Sequence, residues 1–169
     1  IIDGCSEILA KGICWSTSQN PTVDLPTKTD DGSGVGTFTS SLTGLSANTT
    51  YYVRAYATNS AGTGYGPVVS FKTLVDLPVV TTTAVTAISK TGATSGGAVT
   101  YDGGGTVTAK GLAWGTTANP TISGNKIDGG TGLGAFVSTL TGLQKFTTYH
   151  VRAYATNSAG SVYGNEVSF

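Results

Sequence analysis

One histidine, two cysteines and nine acidic side chains are the groups in this chain with which covalent, metal or acid–base chemistry could be done. A nucleophilic triad would need His150 beside a hydroxyl or thiol, with an orienting acid behind it. The surrounding Thr148-Tyr149-His150-Val151-Arg152 suggests neither, so His150 is expected to be a solvent-facing sheet residue, and no catalytic residue is assigned. No His/Cys cluster has the spacing of a zinc site, and no metal is assigned. Cys5 and Cys14 are nine residues apart, roughly 25–30 Å if the intervening chain is extended. A disulfide needs Cα atoms within about 7 Å, so a bridge would require a sharp fold-back. Small-residue packing is the better reading of Cys14.

Two acidic, glycine-rich loops, Asp30-Asp31-Gly32-Ser33-Gly34 and Asp128-Gly129-Gly130-Thr131-Gly132, are the remaining candidates for ion binding. A phosphate loop needs Gly-Lys-Ser/Thr opening a helix, which both lack. A calcium site wants several convergent oxygens, and one or two Asp per loop is thin. Turn formation is expected of both, and no cofactor is assigned. Asn48-Thr49-Thr50 fits a glycosylation sequon, but the related position later in the chain is Phe146.

These residues must be placed by the elements that carry them, and an internal repeat governs those. Thr50-Tyr51-Tyr52-Val53-Arg54-Ala55-Tyr56-Ala57-Thr58-Asn59-Ser60-Ala61-Gly62 returns almost unchanged from Thr148 to Gly160. Ala10-Lys11-Gly12-Ile13-Cys14-Trp15 returns as Ala109-Lys110-Gly111-Leu112-Ala113-Trp114, and Ser41-Leu42-Thr43-Gly44-Leu45 as Thr139-Leu140-Thr141-Gly142-Leu143. The period is about 98–99 residues, which suits a whole domain; solenoid units are shorter. Twenty-five Gly, eight Tyr and abundant Thr and Ser favour short β-branched strands and tight turns. The expected class is therefore all-β. In the second copy, alternation predicts strands near 79–83, 91–101, 106–115, 134–140, 147–156 and 162–169. The first copy is expected to follow the same order while lacking what precedes its second strand. The stretch 72–78, with Pro78, reads as a linker. Expected domains are 1–74, N-terminally incomplete, and 75–169. The chain has no Met and opens inside a strand, so it is read as an excerpt of a longer protein.

Leu45 with Tyr51-x-Val53-x-Ala55, and Leu143 with Tyr149-x-Val151-x-Ala153, resemble the tyrosine corner opening the sixth strand of fibronectin type III domains. The resemblance implies two tandem immunoglobulin-like β-sandwiches. It further implies that Tyr51, Val53, Ala55 and Ala57, and Tyr149, Val151, Ala153 and Ala155, face inward, the Tyr hydroxyls meeting main chain. The fuller wording resembles a repeat of large secreted Bacteroidota proteins, which implies an extracellular or cell-surface location and an adhesin-like parent.

Tyr52, Arg54 and Tyr56, with His150, Arg152 and Tyr154, are then expected on the outward face of that strand. They form either a partner-binding patch or a self-contained cation–π ladder. Alternation alone does not place Trp15 and Trp114: Trp15 shares a face with Leu9, Lys11 and Ile13, opposite Ile8, Ala10, Gly12 and Cys14. A bulge at Gly12 or Gly111 could switch faces. Third-strand Trp in such sandwiches is usually core, and an exposed one would be a sugar-stacking platform.

Charged residues are 11% of the chain and balance to zero, giving no footprint for nucleic acid, and no apolar stretch is long enough to span a bilayer. A non-enzymatic structural spacer is the expected function. Expected partners are neighbouring repeats, other copies of the chain or surface glycans. Filament assembly by strand donation and carbohydrate binding are the alternatives.

Overall fold

A computed structural model describes residues 6–169, so Cys5 lies outside the described residues. Two compact units divide the chain, Ile1–Leu74 and Val75–Phe169.

In the second unit, turns rich in Gly and Asp separate alternating segments that pair only antiparallel. One sheet has the order β5 (Val79–Thr82), β6 (Gly92–Tyr101), β9 (Gly134–Thr141). The other runs β11 (Gly160–Tyr163), β10 (His150–Asn157), β7 (Ala109–Gly115), β8 (Asn125–Gly130), with β12 (Val167–Ser168) also on β10. Alternate residues of both sheets meet in one core: Ala93 and Val99 from β6, Phe136 and Leu140 from β9, Leu112 from β7, and Val151, Ala153 and Ala155 from β10. This is an immunoglobulin-like, fibronectin type III-like β-sandwich.

Two strand expectations need correction. The residues read as the turn 128–132 begin with the end of β8, an edge strand whose polar sequence Asn-Lys-Ile-Asp-Gly-Gly gives no apolar alternation. Its register slips by one, since Lys110 pairs with Gly130 and Gly111 with Asp128, so the bulge sits at Gly129. Gly111 therefore keeps its place and Trp114 does not change face. The expected single strand 162–169 is broken into β11 and β12. Tyr154 pairs with Tyr163 but Val151 with Val167, so one extra residue bulges out around Gly164.

The described part of the first unit forms one sheet: β1 (Ala10–Ser16), β2 (Thr50–Asn59), β3 (Gly62–Tyr65) and β4 (Val69–Lys72). Residues 27–32 run beside β1 through main-chain bonds such as Thr29 N to Ile13 O, 2.9 Å, and Asp31 N to Lys11 O, 2.8 Å. The counterpart of β9, residues 36–43, is not a strand. In the second unit β9 bonds along its length to β6, and no counterpart of β6 exists among the described residues of the first. The expected linker is largely taken up: Thr73 N donates to Thr49 O in the first unit, and Asp76 N to Gly103 O in the second.

Candidate functional site

Each corner tyrosine opens the central strand of its sheet. Tyr51 and Tyr149 are buried, and their hydroxyls each accept a main-chain N–H five residues back, from Ser46 and Gln144, both at 3.0 Å. Leu143 is buried and Leu45 half-buried. Tyr51 stacks on Phe71 with ring centroids 6.0 Å apart, and Tyr149 on Phe169 at 5.9 Å.

Register then fixes the faces. Trp15 lies opposite Val53 and Trp114 opposite Val151, which puts both indoles on the core side. Trp15 is 8% exposed. Trp114 is half-buried, packs against the core and meets the Tyr149 ring at 5.8 Å. A sugar-stacking role for Trp15 is thereby corrected, because the side chain is buried. Trp114 keeps one edge open to a concavity of about 320 Å³, which Asn119, Pro120 and Thr121 also line.

The opposite face of β2 and β10 carries the residues read as a patch, and it is largely roofed over. Tyr56 pairs with Gly12 and Tyr154 with Gly111. The two glycines are required by close approach: a Cβ on Gly12 would lie 2.4 Å from Thr29 O, and one on Gly111 2.0 Å from Ile127 O. The tyrosines beside them are consequently buried, at 5% and 4% exposure. Tyr56 Oη donates to Thr29 O at 2.6 Å, and burial pushes both phenols above the usual range. The expectation that Tyr56 and Tyr154 stand out as contact residues is corrected by this cover, which comes from segment 27–32 and from β8.

Arg54 and Arg152 are half-buried and engaged by their own units. The Arg54 guanidinium lies 4.4 Å from the Tyr65 ring centroid and its Nε donates to Gly66 O; Arg152 sits 4.7 Å over Tyr163 with Nε donating to Gly164 O. Tyr65 Oη accepts Val23 N, and Tyr163 Oη accepts Ile122 N. Each Arg–Tyr pair thus ties the loop after β1 or β7 to the sheet edge. The cation–π partners lie on β3 and β11, and the sixth-strand tyrosines are not among them. Sequence reading missed Tyr65 and Tyr163, although both copies carry them before Gly66 and Gly164.

His150 is also engaged. Its Nδ1 is 2.9 Å from Glu166 Oε1, and Glu166 Oε2 accepts the Asn119 main-chain N–H. That N–H bond is the main reason the Glu166 carboxyl titrates below the usual range. Tyr52 and Val68 occupy the corresponding places in the first unit, with Tyr52 half-buried.

Cys14 is a free, fully buried thiol whose Sγ donates to Pro21 O at 3.4 Å, and burial pushes it up. The loop acids close turns: Asp30 and Asp128 each accept the N–H two residues on, and Asp31 accepts from Thr29 and Ser40. Those hydroxyls hold the Asp31 carboxyl below its ordinary value. Among the described residues there is no group of three or more His, Cys, Asp or Glu that could hold a metal ion. Nor is any described helix long and apolar enough to cross a membrane. Two core-side lysines are a further surprise. Lys11 and Lys110 are 7% and 5% exposed, donate to Gly34 O and Leu133 O, and lie 5.9 Å from the Phe38 and Phe136 ring centroids.

No protein-family model and no curated protein matches the chain. Among solved structures it is similar to the chicken CNTN1 FN1-FN3 domains, a fibronectin type III set, at 14% identity with a TM-score of 0.43. That similarity covers 95% of this chain and 55% of the CNTN1 chain, so this chain spans about half the length of the structure it matches.

Proposed function

We propose that the chain is a non-catalytic spacer segment of an extracellular, adhesin-like bacterial surface or secreted protein, in which tandem sandwich repeats hold other parts of the molecule at a distance. The observation that carries this reading is how the repeated polar residues are spent. Arg54 and Arg152 bond to their own Tyr65, Tyr163, Gly66 and Gly164, and Tyr56 and Tyr154 are covered. A residue set used identically inside both units serves the units themselves. Ligand-specific contacts would sit where the copies differ.

Force spectroscopy on the tethered chain tests the spacer role. The second unit has 95 residues (169 − 75 + 1), so its unfolding should release about 310–340 Å of contour length at roughly 3.3–3.6 Å per residue. Glycan-array binding by the same chain, abolished by Trp114→Ala with folding intact, would replace this reading with a carbohydrate-binding one.

A further inference from the structure

Asn157, the last residue of β10, is a buried polar side chain, 5% exposed, within the second unit. Its Oδ1 accepts the Ala159 N–H at 2.8 Å, which closes the turn into β11 and fixes the orientation of the carboxamide. Asn59 Oδ1 closes the matching turn of the first unit on the Ala61 N–H at 2.9 Å. With Oδ1 anchored, Nδ2 of Asn157 donates to two main-chain carbonyls, Asp76 O at 2.7 Å and Asp102 O at 2.8 Å. Asp76 lies just ahead of β5 and Asp102 just after β6, so one side chain gathers three separate segments. The fit around it is close. Asp76 N donates to Gly103 O at 2.8 Å, and a Cβ on Gly103 would lie 1.9 Å from Asp76 O. Val75 Cγ1 stands 2.6 Å from where a Cβ on Gly105 would be. One residue earlier the chain is held by the first unit, where Asn48 N donates to Leu74 O at 2.9 Å. The role demands Asn, because Asp of the same length has no donor and Ser or Thr has a single one.

We infer that Asn157 is a clamp on the chain entering the second unit: a positioning residue that makes residues 75–77 part of that unit and leaves the Leu74–Val75 junction as the place where the chain articulates. Its use rests on the spacer reading, since a spacer keeps its reach only while its junctions stay short. Releasing 75–77 would add roughly 10 Å of slack at about 3.3–3.6 Å per residue. The clamp itself is a property of the second unit, and it stands whether or not the chain also binds a ligand.

The test uses the full chain and reads hydrogen exchange and backbone order by NMR. In the native chain the Asn157 carboxamide protons should exchange at least tenfold more slowly than those of the exposed Asn125. Residues 75–77 should be as ordered as β10, with order parameters of about 0.85. Asn157→Asp keeps an acceptor for the Ala159 N–H and removes both donors. Exchange at the Asp76 amide should then rise at least tenfold and order over 75–77 fall below about 0.6, with the Val151 and Ala153 amides unchanged. Equal carboxamide exchange at Asn157 and Asn125 would overturn the clamp. So would an unchanged Asp76 amide in the variant, or a rise shared equally by Val151 and Ala153, because Asn157 would then serve the fold at large. If Asn157→Asp does not fold, the native-chain comparison decides alone. Ligand binding by a chain whose clamp passes these tests would count against the spacer reading and not against the clamp.

Discussion

Truncating one leucine in each repeat should separate a closed core from an open one. Leu140 is fully buried in β9, while its counterpart Leu42 is half-buried in a segment that forms no strand. Leu140→Ala removes three carbons' worth of burial, about 2–2.5 kcal/mol at ~0.8 kcal/mol per methylene. The cavity left in a closed core raises the total to about 3–4 kcal/mol. At Leu42 roughly half the transfer energy is at stake and no enclosed cavity forms, so the loss should be about 1 kcal/mol. Urea titration followed by tryptophan fluorescence reads the units apart, with Trp15→Phe isolating the second and Trp114→Phe the first. At about 1–3 kcal/mol per molar urea, the Leu140 change corresponds to a midpoint shift of roughly 1–4 M. Equal losses at the two positions, or less than about 1 kcal/mol at Leu140, would refute the claim that, among the described residues, the core around Leu140 is closed and that around Leu42 is not.

Three further outcomes are expected. Tyr149→Phe keeps the ring but leaves the Gln144 N–H without its acceptor, and should cost the second unit about 1–2 kcal/mol by the same titration. Phe146 has a left-handed φ of 59° and a fully exposed ring, where the first unit has Asn48 at 51°. Phe146→Asn should therefore leave stability unchanged or raise it by up to about 1 kcal/mol, and a clear loss would show that the ring packs in solution. Glu166 is depressed in the folded state, so its contribution is present above the unfolded carboxyl range near pH 4.3 and disappears as pH falls through the lower folded value. The stability gap between the native chain and Glu166→Gln should shrink from pH 6 to pH 3, and a constant gap would detach the acid response from this carboxyl.

The central strands were legible because their signals are local: Tyr51 and Tyr149 with alternating Val and Ala specify both the strand and its inward face. The edge strand β8 was not legible. Its Asn-Lys-Ile-Asp-Gly-Gly sequence pairs on one side only and carries no apolar period, so the pairing comes from β7. Exposure on the outer face failed for a related reason. Alternation assigns Tyr56 and Tyr154 to a face, but whether that face is wet depends on what crosses Gly12 and Gly111, and this is a tertiary fact. The Arg54–Tyr65 and Arg152–Tyr163 pairs join strands by register, as does His150 with Glu166. The conserved spacing between the copies hinted at the first of these, while nothing local hinted at the second.

The His150–Glu166–Asn119 contact also bears on how two repeats that share a central strand fold in one chain without trading edges. Tandem repeats invite strand exchange, since β2 and β10 share most of their residues and each accepts a similar edge. A swapped edge from the first repeat would bring Val68 where Glu166 belongs, leaving His150 and the Asn119 amide without their acceptor. A swapped edge from the second repeat would set a carboxylate beside Tyr52 in place of an aliphatic side chain. An exchange of edges between the repeats would thus leave the His150–Glu166–Asn119 contact unmade.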